Sequence, residues 1–134
     1  MYLIVVGAGA VGRQLISIVK EQGHKVAVIE KEAEKARSVM QQFDVRVFHG
    51  DIARANILEE ADIQNADAIV ATTKDDSVNL MAMVLGKHHG VKNSIAMLRE
   101  KKHADMFEKL GVQILSDPEQ LIAQKLFSFI DADR

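Results

Sequence analysis

The chain opens with the apolar run Tyr2-Leu3-Ile4-Val5-Val6, which leads directly into Gly7-Ala8-Gly9-Ala10-Val11-Gly12. A G-x-G-x-x-G stretch that directly follows a predicted strand is typical of the first turn of a dinucleotide-binding βαβ unit. Gly7 allows the tight turn, Gly9 leaves room for a pyrophosphate, and Gly12 lets the next helix approach the strand. The N-terminus of that helix offers free N–H groups and a partial positive charge to phosphates.

The residues after the glycines agree with this interpretation. Apolar side chains recur at helical spacing up to a terminating Gly23, and a second strand, 25–29, follows and ends at Glu30. Glu30 lies 18 residues past Gly12, near the spacing of about 20 expected for the acid that binds a ribose 2′-hydroxyl. The alternative is a glycine turn in an ordinary α/β protein, with a solvated Glu30.

Glu30 also bears on the choice of dinucleotide. A carboxylate at this position accepts hydrogen bonds from the ribose diol and repels a 2′-phosphate. Lys31 follows directly and weakens that repulsion. The pair therefore favours NAD over NADP without securing the choice.

Length and composition limit the class of protein. The 134 residues suit one domain, and 48% hydrophobic with 27% charged residues is typical of a globular protein. The net charge of -2 and the lack of a basic run argue against nucleic acid as a partner. The chain has no cysteine, its N-terminus resembles a core strand rather than a signal peptide, and its apolar runs fall short of the ~20 residues of a membrane span. We therefore expect no direct membrane insertion.

Predicted strands and helices alternate along the whole chain. This alternation predicts an α/β fold with a doubly wound, six-stranded parallel sheet of order 3-2-1-4-5-6. The remaining predicted strands are 45–48, 66–71, 94–98 and 112–115. The remaining predicted helices are 31–42, 52–61, 77–88, 101–110 and 119–130, the last with Asp117 as N-cap and Pro118 in the first turn.

Ligands of such sheets bind at the carboxyl ends of the strands. Asp51 either accepts a hydrogen bond from an adenine amino group or a backbone amide, or caps the next helix. Thr72 and Thr73 either line the ribose and phosphates or serve turn chemistry, Asn79 points to the cleft or to solvent, and Arg99 reaches a phosphate or makes a surface ion pair. The predicted cofactor-binding residues are Gly7, Gly9, Ala10, Val11, Gly12, Glu30, Lys31, Asp51, Ile52, Thr72, Thr73, Asn79 and Arg99.

Other chemistry-bearing residues favour structural roles. Asp75 and Asp76 precede a helix, so a cap is favoured over a metal site. His88 and His89 are adjacent and do not share a helix face, so they make a poor metal pair. His49 and His103 have no evident partner in the sequence. Ala33, Ala36, Val39 and Met40 are expected on the inner side of the second helix, and core positions are expected for Met81, Met83, Met97 and Met106.

The last helix is apolar on more than one side. We expect its own sheet to cover one side and a partner subunit to cover the other, because a surface of this kind requires a cover. The apolar side chains are Leu121, Ile122, Leu126, Phe127, Phe129 and Ile130.

These features together resemble the TrkA N-terminal type of RCK domain, the regulators of potassium conductance. The resemblance covers nearly the whole chain, and the later motifs make it more specific than the glycines do. The residues that carry it are 7–12, Glu30, His49-Gly50-Asp51, Ala71-Thr72-Thr73, Asp76, Asn79 and Asp117-Pro118-Glu119-Gln120-Leu121.

The resemblance implies a regulatory, non-enzymatic domain that binds NAD or NADH, or in some members ATP or ADP. It implies a nucleotide-binding domain over 1–117 and a crossover helix over 118–134 that mediates a dimer, from which rings are built. It also implies a cytoplasmic location at the inner face of the membrane, beside a potassium transporter or channel whose flux is gated by nucleotide exchange.

Two departures from the family pattern bear on this expectation. Ala10 and Val11 stand where some ATP-binding relatives carry an arginine, which favours NAD(H) over ATP. As a second departure, we expect the smaller C-terminal domain of many relatives to be missing. The alternatives are the cofactor domain of an NAD-dependent oxidoreductase, which needs a substrate pocket and a catalytic acid or base, and a redox or nucleotide sensor that acts on a transcription factor.

Overall fold

The computed structural model describes residues 1–132 and confirms the predicted sheet. Six strands, all paired in parallel, lie in the order β3-β2-β1-β4-β5-β6. The strands are β1 (Tyr2–Val6), β2 (Lys25–Glu30), β3 (Arg46–His49), β4 (Ala68–Ala71), β5 (Asn93–Leu98) and β6 (Gln113–Ser116). The helices are α1 (Ala10–Glu21), α2 (Ala33–Gln42), α3 (Ile57–Glu60), α4 (Asp76–His88), α5 (Ala104–Lys109) and α6 (Pro118–Asp131).

The sheet has a hydrophobic core on each face. Alternate residues of a strand point to opposite faces, so Ile4 joins one core and Val5 joins the other. The first core includes Met83 from α4 and Phe107 from α5, while Ile16 of α1 belongs to the second. Helices therefore cover both faces, as a parallel sheet with buried central strands requires.

Several predicted elements differ from the structure. The helix predicted over 52–61 is confined to Ile57–Glu60, because a turn follows β3 and the short α3 is succeeded by a 3-10 turn at Ile63–Asn65. The helix predicted over 101–110 is divided into a 3-10 turn at Lys101–His103 and α5. The other predicted elements are present, with ends that move by one or two residues.

The core predictions for methionine were wrong in part. Met83 is fully buried, but Met81 is 42% exposed and Met106 is 47% exposed. Met40 is also exposed, whereas Ala36 and Val39 on the same helix are buried as expected. A methionine adds apolar character to a helix without deciding which side of the helix meets the sheet.

The final helix begins as predicted but is not covered by the sheet. The side chain of Asp117 accepts a hydrogen bond from the N–H of Gln120, and Pro118 occupies the first turn. No residue of α6 is buried, and Phe129 is 60% exposed. Residues 133 and 134 of the predicted crossover segment lie outside the described residues. Within the described chain, no helix has both the length and the apolar character that a membrane span needs.

Candidate functional site

A cleft of about 600 Å³ lies at the carboxyl ends of the strands, where β1 and β4 meet. This is the edge at which doubly wound sheets bind their ligands. The cleft brings together most of the predicted site residues: Gly7, Gly9, Ala10, Val11, Glu30, Lys31, Asp51, Ile52, Thr72, Thr73 and Arg99.

The first and third glycines are required by backbone geometry. Gly7 has a φ of +104°, a backbone conformation that residues other than glycine rarely adopt. A Cβ on Gly12 would lie 2.2 Å from the carbonyl oxygen of Gly7 and 2.9 Å from Oγ1 of Thr72. Gly12 is therefore a packing residue that brings α1 against the β1 turn, and it does not line the cleft.

The second glycine faces open space. A Cβ built on Gly9 would meet no atom within 4 Å, although Gly9 lines the cleft. Gly9 is also the N-cap of α1, and no side chain of the described residues caps this end of the helix. The first intrahelical bond is donated by the N–H of Arg13, so the N–H groups before it remain available to an anion.

Glu30 connects the end of β2 to the glycine loop. Its Oε1 accepts a hydrogen bond from the N–H of Ala8 at 2.7 Å, and its Oε2 accepts one from the N–H of Glu32 at 2.8 Å. The residue is only 7% exposed, yet it lines the cleft. Each carboxylate oxygen accepts more than one hydrogen bond, so Glu30 can orient the loop and still receive the two hydroxyls of a ribose.

Asp51 and Ile52 line the cleft just after the carboxyl end of β3. Asp51 does not cap a helix, because α3 begins only at Ile57; instead its Oδ1 accepts a hydrogen bond from the N–H of Ala53 at 2.8 Å. Asp51 is exposed at the cleft, and Ile52 is buried with one surface on it. The pair offers an acceptor and an apolar surface at the end of the cleft beside Glu30.

Thr72, Thr73 and Asn79 shape the loop after β4. The Thr72 hydroxyl lies 3.2 and 3.1 Å from the carbonyl oxygens of Val6 and Gly7, and it is buried. Asn79 is fully buried and points neither to the cleft nor to solvent. Its Oδ1 accepts from the Thr73 hydroxyl at 2.6 Å, and its amide nitrogen donates to the Met97 carbonyl at 2.9 Å. Asn79 thus joins the β4 loop to β5 and acts on the cleft through Thr73.

Charged side chains surround the rim. Lys31, Glu32 and Lys35 lie beside the β2 end of the cleft, with Lys35 Nζ 2.7 Å from Glu32 Oε2. At the opposite end Arg99 lines the cleft and also pairs with Glu119 of α6, with Nη2 3.4 Å from Oε1. The ion pair that the sequence left open for Arg99 is therefore present, and a phosphate contact of Arg99 stays a prediction.

The buried carboxylate of Asp76 holds the segment after β5, a role that the sequence did not indicate. It also contacts His103, for which the sequence showed no partner. Asp76 accepts hydrogen bonds from the N–H groups of Arg99 at 2.8 Å and Glu100 at 3.1 Å, and its Oδ2 lies 2.7 Å from Nδ1 of His103. Burial acts to raise the pKa of Asp76, but these hydrogen bonds and the nearby His103 outweigh burial and lower it. Asp75, as predicted, caps α4, and it accepts from the N–H of Ser77 at 2.8 Å. Two signals in the sequence pointed to Asp76, its position next to the cap residue and its part in the family resemblance.

Comparison with known proteins gives the family. A model described as the TrkA-N domain matches residues 3–118. The chain is 32% identical over 130 residues to the Trk system potassium uptake protein TrkA homolog of Methanothermobacter thermautotrophicus, covering 97% of this chain and 60% of that protein. It is 34% identical over 134 residues to the protein of the same description from Pyrococcus horikoshii, covering 95% and 58%. The chain thus spans less than two thirds of the length of these relatives.

Solved structures show the same fold. The TrkA-N domain of inner membrane protein ybaL from Escherichia coli has a TM-score of 0.85 at 18% identity, covering 96% of this chain and 95% of that chain. The NAD(P)-binding domain of an exopolyphosphatase-related protein from Archaeoglobus fulgidus has a TM-score of 0.82 at 21% identity, covering 97% of each chain. A GsuK channel bound to NAD has a TM-score of 0.76 at 20% identity, covering 85% of this chain and 21% of that chain. With a family match that extends over most of its length, the chain belongs to the TrkA-N domain family.

Proposed function

We propose that the cleft binds NAD or NADH and that the domain is the nucleotide-sensing part of a regulatory subunit of a potassium transporter or channel. The observation that carries the proposal is the position of Glu30. Its carboxylate is buried at the end of β2, holds the glycine loop through the Ala8 N–H, and still opens onto the cleft. A group held in this way is preorganised for a ribose diol, because little side-chain freedom is lost on binding.

The rest of the cleft fits the other parts of a dinucleotide. We assign the pyrophosphate to Gly9 and the uncapped N-terminus of α1, where a Cβ is absent and backbone N–H groups are available. Asp51 and Ile52 border the adenosine side, and Thr72, Thr73 and Arg99 border the other side. Ala10 and Val11 provide no cation for a terminal phosphate, which favours NAD(H) over ATP or ADP.

Regulation rather than turnover is supported by the histidines as well as by the relatives. His103 is engaged by Asp76 and Glu100, and His49 Nε2 lies 3.2 Å from the carbonyl oxygen of Lys31. Neither histidine lines the cleft, so neither is positioned as a general acid or base beside a nicotinamide. The relatives that match are described as potassium uptake proteins, so we assign this chain to the cytoplasmic side of such a system.

The exposed α6 supports a homodimer. A helix with apolar side chains on more than one side and no buried residue requires a cover, and we assign a second copy of the chain to that role. The division into a nucleotide-binding domain, 1–117, and a dimerisation helix, 118–134, follows from this assignment. Higher rings would be built from such dimers.

Calorimetric titration tests the nucleotide assignment. Purified protein is titrated with NADH, NAD and ATP, and we expect saturable binding with NADH or NAD tighter than ATP. Glu30→Gln should weaken NADH binding about tenfold or more, because a charged hydrogen-bond acceptor is lost in a buried position. Glu21→Gln, an exposed position at the end of α1, serves as the control and should bind as the parent does. Absence of saturable binding of all three nucleotides would contradict the proposal.

A further inference from the structure

The first turn of α6 forms one end of the cleft. Pro118, Glu119 and Ile122 line it together with Met97 and Arg99 at the end of β5. This end lies beyond the β1–β4 junction, on the far side of the sheet order from Glu30. A ligand whose pyrophosphate lies at the glycine loop therefore directs its second half toward Arg99 and Glu119.

The ion pair between these two residues is weak by its geometry. A single contact of 3.4 Å joins Arg99 Nη2 to Glu119 Oε1, and the two side chains are 41% and 69% exposed. An exposed pair of this kind contributes little to stability. A guanidinium, however, prefers a bidentate anion such as a phosphate. A terminal phosphate that reaches this end of the cleft would compete with Glu119 for Arg99.

We propose that Glu119 is a specificity-determining residue that selects against nucleotides with a terminal phosphate, by holding Arg99. A terminal phosphate gains Arg99 only if the Arg99–Glu119 pair separates, so the loss of that ion pair is subtracted from its binding free energy. A dinucleotide has no free terminal phosphate, so it does not require this exchange. This inference rests on the proposed nucleotide site, and it adds Glu119 of α6 to Ala10 and Val11 as a basis of the NAD(H) preference.

A double-mutant cycle tests the exchange. Parent, Arg99→Gln, Glu119→Gln and the double variant are titrated with NADH, and ATP is measured by competition with NADH, without divalent cations. Glu119→Gln should tighten ATP binding about two- to fivefold, the strength of an exposed ion pair, and change NADH binding less than ATP binding. In the Arg99→Gln background, Glu119→Gln should have no further effect on ATP.

Two controls make the result specific. Glu60→Gln breaks a comparably exposed pair, in which Arg54 Nη1 lies 3.0 Å from Glu60 Oε2, and neither residue lines the cleft; it should leave both affinities unchanged. Glu119→Ala repeats the charge removal without an amide, and circular dichroism confirms that each variant is folded.

The outcomes separate this inference from the proposed function. If the parent binds NADH and Glu119→Gln leaves ATP affinity unchanged, the inference is wrong and the nucleotide site stands. If Glu119→Gln tightens ATP binding equally in the parent and in the Arg99→Gln background, direct repulsion by Glu119 explains the effect and the inference is also wrong. If the parent binds no nucleotide, the proposed function itself fails.

Discussion

At the scale of single residues, the cleft depends on positions where a side chain is excluded or tightly held. Gly12 excludes a Cβ because the Gly7 carbonyl would lie 2.2 Å away, whereas Gly9 has open space in that direction. Glu30 is held by two backbone N–H groups. The spacing of one motif singled out Gly9, Gly12 and Glu30 and predicted the close packing at Gly12, whereas the hydrogen bonds of Glu30 to the backbone came only from the structure.

Replacement of Gly9 separates binding from folding. In Gly9→Val the side chain would enter the cleft where the pyrophosphate approaches, so we expect NADH binding to fall by about tenfold or more. The backbone of Gly9 has a φ of −80° and is extended, which valine also adopts, so the loss of stability should stay near 1 kcal/mol for an unfavourable N-cap residue. Calorimetry and urea unfolding measure the two effects.

Gln14→Val places the same side chain on an exposed part of α1 outside the cleft. It should bind NADH as the parent does. Equal affinity of Gly9→Val and the parent would show that the glycine loop is not the phosphate site.

At the scale of elements, buried polar side chains connect segments that are distant in sequence. Asn79 of α4 joins the β4 loop to β5, and Asp76 of the same helix holds the segment between β5 and α5. Asn79 accepts a hydrogen bond from Thr73, and Asp76 accepts one from the N–H of Arg99. Thr73 and Arg99 both line the cleft. Sequence alone did not assign these roles, because the partners of a polar residue at a helix start depend on how the loop after the next strand folds back.

Asp76→Asn should destabilise the domain by about 1–3 kcal/mol at neutral pH, because hydrogen bonds to a charged group are lost in a buried position. The lowered pKa of Asp76 means that its contribution is complete above its ordinary value of 3.8 and is lost as the pH falls through the lower folded value. The difference in unfolding free energy between parent and variant should therefore shrink below about pH 4. Urea unfolding at a series of pH values measures it.

Asp105→Asn, an exposed aspartate on α5, is the matched control and should show a much smaller difference at neutral pH. A difference between the parent and Asp76→Asn that stays constant from pH 7 to pH 3 would contradict the assigned role of the carboxylate.

At the scale of the whole molecule, helices cover both faces of the sheet, whereas no element of the described chain buries α6. The sheet is covered on both faces by its helices, but the side chains of α6 remain exposed, Leu126 to 58% and Phe127 to 59%. The expectation that the sheet covers one side of α6 is therefore wrong. We assign the cover to a second copy, and α6 then connects the cleft, through Glu119, to the dimer.

Leu126→Asp tests that assignment. A carboxylate in an apolar contact without a partner costs about 3 kcal/mol or more, so dimer dissociation should become easier by on the order of a hundredfold. Light scattering over a concentration series measures the mass of the particle. Ser128→Asp, also exposed on α6, places the same charge at a polar position and should perturb the dimer less. An unchanged dimer in Leu126→Asp, or a monomeric parent, would contradict the proposal.

The sequence by itself determined the order of strands and helices, the parallel sheet, the glycine loop with Glu30, and the family to which the chain belongs. These follow from periodic burial and from motifs whose partners lie close in the chain or at the same sheet edge. Only the tertiary structure decided that Asn79 and Asp76 hold the loops around the cleft, that Met81 and Met106 are exposed, and that the first turn of α6 borders the cleft. Those facts depend on the packing angles of helices and on long-range loop contacts, which local pattern does not encode.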